Sequence, residues 1–251
     1  MDWKLRHAFV SFTIAIALLV VGCSPDGVAS QSTSKPKAED ASQVSLAESG
    51  CQQIDELPKL EGKATVVLEV KGKPIKIEVD GTNAPMTAGN FVDLVERGIY
   101  NGLAFHRVVR DPKPFVVQGG DPQGKDPDFP LARLGTGGFV DPETGQRRYI
   151  CLEIKPEGAE TPIYSQTFQM AGIGKAPQLQ HSRGAVAMAR SQAPDSASSQ
   201  FYITLAAQPF LDGNYAVFGY VTEGMDVVDE IEQGDRIESA TVIDGLENLK
   251  N

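Results

Sequence analysis

Histidine is scarce in this chain. The three histidines among 251 residues, His7, His106 and His181, are too few and too far apart for a metal cluster or a nucleophile–base triad. No Gly-x-Ser-x-Gly elbow occurs, and Gly135-Thr136-Gly137-Gly138 lacks the Gly-Lys-Ser/Thr continuation of a phosphate-cradling loop, so it reads as a turn. The cluster from Ser196 to Ser199 has no base partner and reads as loop. A basic stripe is missing as well: the net charge is −10, and no run of Lys or Arg lies between residues 60 and 251, which argues against nucleic acid as a partner. After residue 30 no apolar run reaches the roughly 18 residues that a spanning helix needs. What the chain has instead is 41% apolar residues with 25 Gly and 16 Pro, the composition of a turn-rich, β-heavy globular protein with room for a sizeable core.

The first residues follow other rules. Lys4, Arg6 and His7 precede an apolar run from Ala8 to Val21, the charged and apolar regions of a secretory signal. The run ends at Leu19-Val20-Val21-Gly22-Cys23, which resembles a bacterial lipobox with Val20 in place of the commoner Leu. That resemblance implies a lipoprotein signal peptide over 1–22, lipidation of Cys23, and a membrane anchor on an exported bacterial protein facing the periplasm or an equivalent compartment. The alternative is an ordinary signal peptide cut nearby, or an uncleaved anchor. Loss of Asp2, Lys4 and Arg6, together +1, takes the net charge from −10 to −11. Residues 23–60 carry few large apolar side chains and read as a flexible tether. With Cys23 lipidated, Cys51 and Cys151 remain as a possible disulfide, worth up to ~4–5 kcal/mol for so long a loop; two free buried thiols are the alternative.

Residues 61–251 read as the folded domain. Residues 65–70 and the cleanly alternating 75–79 form a predicted hairpin. From Met86 to Arg97, the spacing of Phe91, Leu94 and Val95, with Pro85 at the start and Gly98 past the end, predicts a short amphipathic helix. Met225, Val228 and Ile231 share a face of a second helix ended by Gly234. Short strands with only two helices predict a mainly β, closed antiparallel barrel rather than a βαβ array. The Gly-, Pro- and charge-rich stretch within about 122–180 reads mostly as a long loop insertion.

Six segments then stand in one order: Phe105-His106-Arg107-Val108-Val109, Phe115 to Asp121 (FVVQGGD), Gly135 to Gly138, Gly184 to Ala189 (GAVAMA), Ser199 to Thr204 (SQFYIT), and Leu211 to Gly219 (LDGNYAVFG). Together they resemble the cyclophilins over residues ~64 to 245. The resemblance implies an eight-stranded barrel and a peptidyl-prolyl cis–trans isomerase that needs no cofactor and no metal. Its partners would be proline-containing segments of exported proteins, met by a monomer.

Rotation about an X–Pro bond faces a barrier of ~18–20 kcal/mol, so a catalyst must grip the proline ring, favour the twisted amide and weaken its conjugation. In the resemblance Arg107 matches the catalytic arginine and Gln118 the polar residue that anchors both it and the substrate backbone. Phe115, Val116, Tyr202 and Leu211 match the proline pocket, Phe210 and Tyr215 its rim, Gln200 a groove position, and Ala189 and Arg190 the stretch that pairs with the substrate main chain. His106 points opposite to Arg107 by strand alternation and reads as structural. Several positions depart from the family pattern: Phe210 replaces Trp, Tyr215 replaces His, Tyr202 replaces Phe and Arg190 replaces Asn. Two other readings remain at this point: a proline-segment-binding chaperone or assembly module with little turnover, and a lipocalin-like small-ligand barrel.

Overall fold

The computed structural model describes residues 56–250, so the 1–22 export segment, Cys23, Cys51 and nearly all of the 23–60 tether lie outside the described residues. In chain order the elements are β1 (Lys59–Leu60), β2 (Lys63–Val70), β3 (Lys73–Asp80), α1 (Pro85–Glu96), β4 (Arg107–Val109), β5 (Val116–Gly119), β6 (Glu153–Ile154), β7 (Ile163–Tyr164), β8 (Ala185–Met188), β9 (Phe201–Thr204), β10 (Val217–Glu223), α2 (Met225–Glu230), β11 (Ser239–Asp244) and β12 (Leu249–Lys250), with a few short 3-10 turns between them.

Eight strands form one antiparallel sheet in the order β11-β2-β3-β10-β8-β9-β5-β4. The sheet curls until its edges meet just ahead of the two end strands. There Gly102 N–H donates to Ile237 O, Ile237 N–H to Leu103 O, Phe105 N–H to Asp235 O and Gly234 N–H to Phe105 O. The expected eight-stranded barrel is therefore closed by backbone hydrogen bonds of flanking segments rather than by an eighth ladder.

The β2–β3 hairpin shows how period-two alternation fixes register. Ile75, Ile77 and Val79 are buried while Lys76 and Glu78 face outward, and the loop is only Lys71-Gly72, both at positive φ, as a two-residue hairpin turn requires. The predicted first helix forms over Pro85–Glu96, but it is not amphipathic: every residue from Met86 to Val95 is buried. Its outer side is covered by chain segments distant in sequence. Pro58 and Lys59 lie so close that a Cβ on Gly89 would stand 2.4 Å from the Pro58 carbonyl oxygen. Glu153, from the insertion, accepts hydrogen bonds from Met86 N–H at 3.2 Å, Thr87 N–H at 2.8 Å and Tyr164 O–H at 3.0 Å. A buried carboxylate thus satisfies the orphaned donors of the helix start, where the dipole also favours negative charge. Burial pushes the Glu153 carboxyl up, against the pull of those donors.

Two expectations need correction. The second helix ends at Glu230, so Ile231, though buried, caps it rather than continuing its face. The 122–180 stretch is mostly loop, as expected, but it is packed rather than merely carried on the barrel. It pairs β6 with β7, and Leu152, Ile154 and Phe168 pack with Ala216 into a small apolar cluster of their own. Phe139, Ile150 and Cys151 join the main core. Cys151 is buried and disulfide-bonded, and both other cysteines lie outside the described residues. The packed domain also begins before residue 61, because Leu57 and Leu60 are buried and β1 pairs with β12.

Candidate active site

Strand register assembles the site. Across β4, β5 and β9, Arg107 stands opposite Gln118, and Gln118 opposite Tyr202; across β8, Tyr202 stands opposite Ala187. Because alternate residues share a face, these positions put an arginine, an amide and an aromatic ring in one row on the outer surface of the barrel. The side chain of His106 turns the other way and is buried, as strand alternation predicts.

Arg107 is solvent-exposed and donates from Nη1 to Gln118 Oε1 at 3.2 Å. Gln118 Nε2 donates to Gln200 Oε1 at 3.1 Å, and Gln200 Nε2 to Gly137 O at 2.8 Å. The chain of amides ends on the Gly135–Gly138 turn, which Asp121 holds in place. One Asp121 oxygen accepts from Gly135 N–H and Gly137 N–H, and the other from Gln123 N–H. A Cβ at Gly137 would stand 1.9 Å from that carboxylate, which explains the glycine. The guanidinium carbon of Arg107 lies 5.4 Å from the Phe115 ring centroid, and no carboxylate of the described residues is within ion-pair distance of it.

Beside Arg107 opens a groove of about 200 Å³ lined by Phe115, Val116, Gln118, Ala189, Arg190, Tyr202, Leu211 and Tyr215. Its floor is buried Val116, Tyr202 and Leu211. Of the residues expected at the site, two stand apart from this lining. Gln200 acts from behind Gln118, and Phe210, 65% exposed, stacks on Phe115 at 5.9 Å to form a rim. Arg190 lies over the Tyr215 ring at 4.7 Å and donates to the carbonyls of Asn214, Ser191 and Gln192. The Ala189 N–H is taken by Gln200 O at 2.9 Å, so it is not free for a ligand backbone.

One layer beneath the groove lies a group that motif reading missed. His181 Nδ1 and Asp212 Oδ1 are 2.8 Å apart, and His181 Nε2 and the Tyr202 hydroxyl 2.9 Å. Asp212 Oδ1 also accepts from the His181 backbone N–H. The carboxylate fixes the proton on Nδ1, leaving Nε2 to accept from Tyr202. Burial lowers the His181 pKa, with Asp212 opposing it, and burial also raises that of Tyr202. The signal was present in the sequence: a Tyr where Phe is usual brings a hydroxyl that needs a buried partner.

Residues 65–247 match the family described as Cyclophilin type peptidyl-prolyl cis-trans isomerase/CLD. The chain belongs to this family. Among its cyclophilin relatives, it is 41% identical over 211 residues to a putative thylakoid lumen peptidyl-prolyl cis-trans isomerase of Synechocystis, covering 80% of this chain and 52% of that one. It is 36% identical over 180 residues to a probable peptidyl-prolyl cis-trans isomerase of Brucella abortus, covering 71% and 76%. It resembles the crystal structure of a cyclophilin-type isomerase from Cryptosporidium parvum with a TM-score of 0.53 at 25% identity, over 72% of this chain and 97% of that one. The chain thus spans about half the length of its Synechocystis relative and three quarters of its Brucella relative.

Proposed function

We propose that this cyclophilin is a peptidyl-prolyl cis–trans isomerase acting on proline-containing segments of exported proteins as they fold. The observation that carries the reading is Arg107: an arginine with no carboxylate partner among the described residues, aimed by Gln118 along the edge of an apolar groove. Phe115, Val116, Tyr202 and Leu211 grip the proline ring, Ala189 and Arg190 just past β8 align the flanking backbone, and Phe210 and Tyr215 close the rim. The guanidinium then donates toward the prolyl carbonyl and the pyramidalising nitrogen, weakening the C–N conjugation that sets the barrier. Donors already in place at the developing charge cost no reorganisation, and each 1.4 kcal/mol of preference for the twisted amide gives about a tenfold acceleration. Neither a cofactor nor a metal enters this scheme.

An extracytoplasmic location fits the export segment and the thylakoid lumen in the name of the Synechocystis relative. In this reading Cys23 carries the lipid, residues 23–60 tether a monomeric domain to the membrane, and Cys51 is the partner of Cys151. Continued lipid labelling of a Cys23→Ser chain would exclude the anchor. For the activity itself, the full chain is assayed on a prolyl peptide beside Arg107→Ala. Equal rates remove Arg107 from the mechanism, whereas peptide binding without turnover in either protein makes the groove a binding module.

A further inference from the structure

A second cavity, of about 370 Å³, shares Gln118, Ala189 and Arg190 with the proline groove. Its far wall, Arg147 and Tyr149, comes from the insertion. That wall is fixed in place. Val140 bridges Arg147, Arg148 N–H donates to Phe139 O, Ile150 bridges Ala197, and Phe139 N–H donates to Ser198 Oγ, so residues 139–150 form a narrow hairpin tied to the barrel.

The cavity is positive. Arg190 spends four N–H donors on carbonyl oxygens, which leaves its charge without a counter-ion. Arg147 is exposed and makes only a long 3.4 Å contact to Thr136 O, with its guanidinium carbon 5.9 Å from the Tyr149 ring. Neither arginine has a carboxylate within ion-pair distance among the described residues, and no carboxylate lines the cavity. Of the carboxylates nearby in sequence, Asp121 is turned to the backbone amides of Gly135 and Gly137, Asp195 to that of Leu152 and Asp141 to those of Glu143 and Thr144, and Glu143 is not in the cavity lining. Two uncompensated cations facing one cavity, in a chain of net charge −10, call for an anion from outside.

We propose that this cavity is a substrate subsite for a carboxylate side chain, Asp or Glu, within about three residues of the proline, so that the protein selects acidic X–Pro segments. The proposal rests on the isomerase reading of the adjacent groove. The span follows from geometry: the cavities share a wall, and an extended chain advances ~3.3 Å per residue. Arg147 offers its free fork to the carboxylate, while Arg190, held by its carbonyls, supplies a fixed charge. Because Arg147 belongs to the insertion, selectivity is what the insertion adds to the barrel.

The test is a peptide series around one Ala–Pro bond, with Asp, Ala or Lys placed in turn at each of the three positions on either side, measured with the full chain for both turnover and binding. At one of these positions Asp is expected to exceed Lys by about threefold to tenfold at low salt, a ratio that shrinks as salt screens it. In Arg147→Glu the ratio inverts, and in Arg147→Gln it falls toward one; a ratio within one protein cancels any general change in activity. Equal Asp and Lys values at every position, or a preference that ignores Arg147, overturn the proposal. Turnover of all peptides at one rate would remove the subsite and leave the isomerase, whereas Arg147-dependent binding without turnover would keep the subsite and remove the isomerase.

Discussion

Two arginines in different surroundings show how one residue type is set to different tasks. Arg107, in the groove wall, is exposed, touches one amide oxygen and has no counter-ion among the described residues. Arg148, where the insertion covers α1, is 11% exposed, pairs with Asp93 and lies near Asp141, and its guanidinium carbon stands 4.8 Å from the Phe139 ring. At the groove a charge is held in reserve for a ligand. At the covered end the buried charges are consumed by the fold, with Asp93 also bound to Arg97 and Glu153 to the start of α1.

The sharpest way to break this contrast is to remove both arginines separately. Arg107→Ala is expected to lower kcat/KM for a prolyl peptide by about 100-fold or more while leaving the melting temperature nearly unchanged, since it deletes a donor needed only by the twisted amide. Arg148→Ala is expected to do the reverse, costing about 3 kcal/mol of stability by leaving Asp93 short of a buried partner. Denaturant titrations and turnover measured on both variants decide it. A stability loss in Arg107→Ala as large as in Arg148→Ala would erase the distinction.

Next in size is the carboxylate that ties the insertion to the barrel. Glu153→Ala strands the Met86 and Thr87 N–H donors in a buried site and is expected to cost about 2–4 kcal/mol. Glu153→Gln, which keeps an acceptor, should lose about half as much. Peptide turnover by the molecules that remain folded should persist, because Glu153 is absent from the groove lining. Loss of turnover in a folded Glu153→Gln protein would show that the two regions are not separate.

How much of this could be read from the sequence depends on the range of the interactions. The β2–β3 hairpin was legible because alternation and the Lys71-Gly72 turn are local. Arg107, Gln118 and the groove aromatics were legible as positions, because their motif segments are contiguous. The burial of α1 was not, since its covers, Pro58 and Glu153, lie 31 residues before Gly89 and 66 residues after Thr87. Packing of the insertion was hidden for the same reason: its Gly, Pro and charge content resembles loop, while its Phe139 and Ile150 join the main core and its Leu152 and Phe168 a separate cluster. The contact from His181 to Tyr202 likewise joins the loop before β8 to β9 through a hydroxyl whose partner no local pattern names.

A smaller effect comes from pH. Burial holds His106 and His181 below the ordinary value of 6.5. The unfolded chain therefore binds protons first, so their contribution is fully present above about pH 6.5 and is lost as pH falls toward the depressed folded values. The loss is limited to about 1.4 kcal/mol per pH unit for each histidine. Carboxylates oppose the shift at both, Asp121 at His106 and Asp212 at His181. Replacing either histidine by Gln should therefore flatten the fall in urea midpoint between pH 6.5 and 5.5. The same slope in all three proteins would assign the acid sensitivity to carboxylates instead.

The smallest effect belongs to the rim. Phe210 is 65% exposed and its ring stacks only on Phe115, so truncation to Ala leaves no cavity and should shift stability by no more than about 0.5 kcal/mol. Its loss uncovers Phe115 and, through it, the face on which Arg107 rests at 5.4 Å. The expected result is a rise in KM of about twofold to fivefold with kcat nearly constant, because the rim holds planar and twisted amides equally. Phe210→Trp should restore KM by enlarging the stacked surface. A fall in kcat instead would mean that the rim positions Arg107, and the groove would then share with the covered end the property of charges fixed by their neighbours.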